Sequence, residues 1–78
     1  MRSLYDLVDE LETMGDETFG RYVNASKNDF ANWTRDVFDE KNLAEELSRL
    51  QHRVDTQRAI LKHLVRELKK IAPRRKHS

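Results

Sequence analysis

The chain has 78 residues, 37% of them charged and 37% hydrophobic, with a formal net charge of +1 and no cysteine. That length allows one domain at most, and such a domain buries only about 60% of the surface its unfolded chain exposes. Disulfides and thiolate metal sites are excluded, and no apolar run approaches the ~18 residues that a membrane span needs. With no basic-then-apolar leader pattern at the N-terminus, the expected location is cytoplasmic. The near-neutral sum hides a polarity, because residues 1–50 carry 12 acids and 6 bases whereas residues 51–78 carry 2 acids and 9 bases. Such an asymmetry implies self-complementary pairing or an anionic partner for the basic end.

One Pro, two Gly and the lack of alternating apolar runs point to an all-α fold. The first helix is expected over 4–14. Ser3 caps it, Asp6 approximates the reciprocal member of a capping box, and Leu4, Leu7, Val8, Leu11 and Met14 form its apolar face. Gly15 is placed to end it in the left-handed region. A second helix is expected over 17–24, capped by Asp16, with Phe19, Tyr22 and Val23 on one side and Gly20 weakening it by about 1 kcal/mol.

A third helix is expected over 27–38, capped by Ser26 with Asp29 at the reciprocal position. Phe30, Trp33, Val37 and Phe38 then fall within about 140° of its circumference, opposite Asn28, Asn32, Arg35 and Asp36. Aromatics at helical spacing in so small a domain read as core rather than as a ligand platform. Asn28 and Asp29, in the first turn, read as capping residues.

The fourth helix is expected over 40–72, capped by Asp39 and ended by Pro73, so that the helical domain spans 1–72 and a disordered basic tail occupies 73–78. Its apolar positions advance in alternating steps of four and three residues. Leu47, Val54, Leu61 and Leu68 stand at a; Leu43, Leu50, Gln57, Leu64 and Ile71 stand at d. The three short helices are expected to pack on the first half of this long one. The surface formed by Gln57, Ile60, Leu61, Leu64, Val65, Leu68 and Ile71 is then left for a partner. A coiled-coil homodimer is the expected use, with an antiparallel arrangement favoured because a parallel pair would set Arg53 against Arg58 of the partner copy, whereas an antiparallel one would let Arg53 approach Glu67; another protein is the other candidate. Gln57 either lies on an unburied surface or fixes register as a buried polar residue. Any break in the helix is expected near 55–56.

The segment YVNASKNDFANWTRDVFDEKNLAEEL, preceded by Phe19, resembles an uncharacterised, largely archaeal family of small helical domains. The family pattern is F-x-x-H-V, then N-D-F-x-x-W, then L-A-x-x-L. Phe19, Val23, Asn28, Asp29, Phe30, Trp33, Leu43, Ala44 and Leu47 match it, and Tyr22 stands where the pattern has His. The likeness spans about 4–70 in length and order, its specific part being 19–47. It implies the same helical module, with Phe19, Asn28, Asp29, Phe30, Trp33 and Phe38 as core and caps, and it brings no activity. Members attached to other domains fit an interaction role.

No catalytic order of Ser, His and acid, no phosphate-cradling glycine loop and no metal-ligand spacing is present, so the chain is not expected to be an enzyme or to hold a cofactor. His52 and His63, eleven residues apart, are separated by ~16 Å on one helix and read as solvated. The rival function is nucleic-acid association through Lys62, Arg66, Lys69, Lys70, Arg74, Arg75 and Lys76. Against it stand the acidic first half and the absence of aromatic interleaving. Leu64, Leu68 and Ile71 among these bases also give some amphipathic character suited to a membrane surface.

Overall fold

The computed structural model describes residues 3–71, without the side chain of Ile71, and is mostly helical. In chain order it consists of α1 (Leu4–Thr13), α2 (Asp16–Tyr22), β1 (Val23–Asn24), β2 (Lys27–Asn28), α3 (Asp29–Asp36), α4 (Lys41–Leu47) and α5 (Arg53–Ile71). The expected tail at 73–78, with Arg74, Arg75 and Lys76, lies outside the described residues, as does Pro73.

The box at the start of α1 forms as the spacing predicts: the Asp6 amide donates to Ser3 Oγ at 3.4 Å, and the Ser3 amide to Asp6 Oδ2 at 3.2 Å. Gly15 does not take the left-handed conformation. It sits at φ −79°, an ordinary extended value, and serves as the N-cap of α2, so Asp16 is the first helical residue instead of the cap. The left-handed residue is Asp39, at φ 56°, where the chain leaves α3 and the Glu40 amide donates to Thr34 O at 3.0 Å. Asp tolerates this region better than most residues because its short polar side chain bonds locally.

Between α2 and α3 the chain makes a two-residue hairpin that the helical reading missed, with Val23 opposite Asn28 and Asn24 opposite Lys27. Asn24 Oδ1 accepts from the Ser26 amide and hydroxyl, both at 2.9 Å, which closes the turn. Ser26 is thereby used in the turn, and the cap of α3 is Asn28, whose Oδ1 accepts from the Ala31 amide at 3.0 Å. Asp29 is the first residue of α3, paired with Lys27 at 3.3 Å.

Above the hairpin the aromatics form one cluster. Phe19 stacks on Phe30 at 5.5 Å, while Trp33 and Tyr22 meet the Phe30 ring edge-to-face at 5.3 and 5.7 Å. Phe38 is half-buried against this core, but Val37, the C-terminal cap of α3, is exposed.

The expected helix over 40–72 is two helices. Residues 48–52 separate α4, which packs on α3, from α5, which packs on α1 and α4. The turn is braced by the Asn28 side chain. Its Nδ2 donates to Leu47 O at 2.8 Å and to Leu50 O at 3.2 Å, occupying carbonyls that a continuous helix would offer to its own amides. Ser48 Oγ donates to Glu45 O at 2.6 Å, and the Leu50 amide closes a tight turn onto Leu47 O at 3.0 Å.

Once turned back, α5 runs antiparallel to α1. Arg53 Nη1 donates to Leu11 O at 2.8 Å, supplying a cation to the carbonyl end of α1, and its Nε lies 3.3 Å from Asp16 Oδ1. The core joins Leu4, Leu7 and Leu11 of α1 to Phe19, Val23, Phe30, Ala31, Leu43 and Leu47, and to Ala59, Ile60 and Leu64 of α5.

Two threonines are fully buried in this core, Thr34 and Thr56, and neither hydroxyl reaches a hydrogen-bond partner in the protein. A buried unsatisfied hydroxyl costs about 1–3 kcal/mol, so Thr34→Val and Thr56→Val, which keep the side-chain shape, are each expected to stabilise the fold by ~1 kcal/mol. A rise in the urea midpoint at unchanged slope is the expected readout; a fall would mean that the hydroxyls have partners.

Candidate functional site

The break before α5 changes which of its residues are available. The buried side carries Thr56, Ala59, Ile60 and Leu64, with Arg53, Gln57, His63 and Glu67 half-buried beside them. The heptad a positions point the other way: Val54, Leu61 and Leu68 are 50%, 43% and 53% exposed, and Val65 is 48% exposed. These four recur at steps of seven, four and three, so they form one apolar strip along the outside of the helix. Val37 and Tyr5 are the other exposed large hydrophobics among the described residues.

The expected partner surface is therefore split. Ile60 and Leu64 belong to the head's core, Leu61, Val65 and Leu68 lie on the outer strip, and the Ile71 side chain is outside the described residues. Gln57 is committed within the chain, its Nε2 donating to Glu12 Oε1 at 2.7 Å and to Val8 O at 3.3 Å. Arg53, expected opposite Glu67 of another copy, is likewise engaged with α1.

On the flank of the strip away from Gln57 stands a row of bases, Arg58, Lys62, Arg66 and Lys69, all exposed and at steps of four, four and three. Their aliphatic stems and Leu61 and Val65 line a shallow open groove. Lys70 lies off this row and pairs with Glu67 at 3.3 Å. The flank on the Gln57 side is formed by α1, whose ten residues hold four acids and no base. Since Gln57 bonds at Val8 and Glu12, the line of α1 bordering the strip is Tyr5, Val8 and Glu12, with Asp9 beside it. An apolar strip thus lies between a basic row and an acidic helix.

No family model, curated protein or solved structure matches the chain. What the surface does is therefore read from its own geometry. No group of three or more acidic or histidine side chains is gathered for a metal ion among the described residues, and none of their helices is long and apolar enough to cross a membrane.

Of the histidines, His52 is exposed, whereas His63 is not the solvated residue its heptad position implied. Its side chain is 15% exposed and its Nε2 lies 3.3 Å from Glu40 Oε1, without hydrogen-bond alignment.

A second concavity lies between the hairpin, Asn32 and Arg35 of α3, and the turn at 48–51. Several of its polar groups bond within the chain: Asn24 Oδ1 with Ser26, Asn28 with the chain turn, and Arg35 with Asn32 Oδ1 at 3.0 Å and Asp36 Oδ1 at 3.1 Å. Tyr22 packs on Phe30 and Trp33. Phe19, Val23, Phe30, Leu43, Ala44 and Leu47 are buried, Trp33 packs against them, and Asn28 caps α3.

Proposed function

We propose that this chain is a small non-catalytic interaction module that self-associates through the outer face of α5. The observation that carries the reading is the strip of Val54, Leu61, Val65 and Leu68, about half exposed along one side of a helix whose other side is already in the core. A domain this small has little interior to draw on, and covering the strip with a second apolar helix face removes it from water. The resemblance to a family of small helical modules, whose members occur joined to other domains, agrees with this use.

The second reading, nucleic-acid association, is favoured by the exposed row of Arg58, Lys62, Arg66 and Lys69. It is disfavoured by Glu12 and Asp9 of α1, which stand on the other flank of the same face.

Sedimentation equilibrium at ~0.05 M and ~0.5 M salt separates the two readings, since exposed charge pairs are strongly screened at the higher value. The full chain is expected to exceed the monomer mass at both salts, and Leu61→Glu with Leu68→Glu to sediment as a folded monomer. A wild-type monomer at both salts would overturn self-association. Salt-sensitive binding of a duplex, lost on Lys62→Ala with Arg66→Ala, would put the second reading first.

A further inference from the structure

We infer that the two copies pair with their α5 helices parallel, the basic row of each lying against the acidic α1 of the other. This rests on the self-association proposed above and adds to it the arrangement of the partner copy. The end-to-end charge asymmetry of the sequence does not survive as such in the fold. Because the chain turns back at 48–52, the acidic α1 lies beside the basic α5, and the polarity runs across the exposed face instead of along it.

Only two closed pairings bring the outer strips together face to face. A two-fold axis parallel to α5 sets the Arg58 side of one copy opposite the Gln57 side of the other, where Asp9 and Glu12 stand. Arg58 and Lys62 lie on the stretch of α5 that α1 accompanies, so this apposition occurs twice in the dimer. A two-fold axis perpendicular to α5 gives the antiparallel pair. It sets Arg58, Lys62, Arg66 and Lys69 of one copy beside the same four bases of the other, and the acidic helices beside each other. Opposing like charges at an interface carry a penalty that selects against that partner geometry. The antiparallel arrangement expected from the sequence rests on Arg53 meeting Glu67 of the other copy in that pair and Arg58 in the parallel one, and in the fold Arg53 is instead engaged within its own chain by Leu11 O and Asp16.

The chain has no cysteine, so single cysteines report the arrangement without background. Val54 and Leu68 are fourteen residues apart, ~21 Å along the helix, and a disulfide requires Cα atoms within ~7 Å. In the parallel pair Val54→Cys alone and Leu68→Cys alone each give an oxidised dimer in high yield, and an equimolar mixture gives almost no mixed dimer. In an antiparallel pair centred on Leu61 neither variant cross-links alone and the mixture does; failure of both variants to cross-link alone, with or without a mixed dimer, would overturn the inference while leaving self-association intact. A wild-type chain that sediments as a monomer would overturn both. As an independent check, Lys62→Glu is expected to weaken the dimer about threefold to tenfold, and Asp9→Lys on the same chain to restore most of the loss, since each exposed pair contributes modestly and the dimer holds two. No restoration would also overturn the inference.

Discussion

Replacing Asn28 by Ala is expected to lower the stability by about 3 kcal/mol, from a total on the order of 4–12 kcal/mol for a chain of this size. Three bonds meet in this side chain: Oδ1 accepts from the Ala31 amide at 3.0 Å, and Nδ2 donates to Leu47 O and Leu50 O at 2.8 and 3.2 Å. Loss of the cap costs about 1 kcal/mol, and each lost bond to a part-buried carbonyl costs about as much again. The informative companion is Asn28→Asp. Asp is as good an N-cap as Asn, so a residue valued only for capping would tolerate the change. Here the new carboxylate oxygen would face two carbonyl oxygens, and the variant is expected to be at least as unstable as Asn28→Ala. Urea unfolding of the pair decides the matter: Asn28→Asp at wild-type stability would show that the bridge to 47 and 50 does not hold the turn before α5.

Leu64→Glu and Leu68→Glu are expected to differ by more than about 4 kcal/mol although they lie one turn apart. Leu64 is 8% exposed within the core, so a carboxylate there forfeits the leucine's burial and is itself desolvated, enough to unfold most of the chain. Leu68 is 53% exposed, and a charge there is expected to change the monomer's stability by no more than ~0.5 kcal/mol while weakening association. Far-UV circular dichroism reads the first effect and sedimentation the second. Equal loss of helix signal in both variants would place Leu68 in the interior and remove the outer strip as a surface.

The first helix and the aromatic core were legible because their signals are local. The capping box at Ser3 and Asp6 and the spacing of Leu4, Leu7 and Leu11 refer only to neighbours in the chain, and Phe30 and Trp33 declare a face through periodicity alone. The break in the expected last helix was not legible in the same way. No Gly or Pro marks 48–52, and the residue that braces the turn, Asn28, stands 19 residues before Leu47. The four–three pattern runs unbroken from Leu43 to Ile71 and so predicts one seam, but the turn assigns Leu43 and Leu47 to one packing partner and Leu64 to another. The steps that carry the buried side of α5, from Thr56 through Ala59 and Ile60 to Leu64, pass through a polar and a small residue, which muted their signal. The hairpin was hidden for a related reason: four paired residues are too few for an alternating pattern, and only Asn24 and Ser26 hint at the turn.

The ties between α1 and α5 join residues 42 to 49 positions apart, whereas the Asn28 ties that gather the hairpin, α3 and the end of α4 span 19 and 22. Closing the longer loop costs more chain entropy, so the central segment is the part able to assemble first from contacts close in sequence. Neither α1 nor α5 keeps its buried side covered without the other, and a ten-residue α1 is too short to persist alone in water. The two therefore open and close as a single cooperative unit, and any event that loosens the start of the chain is felt at once along the helix near its end.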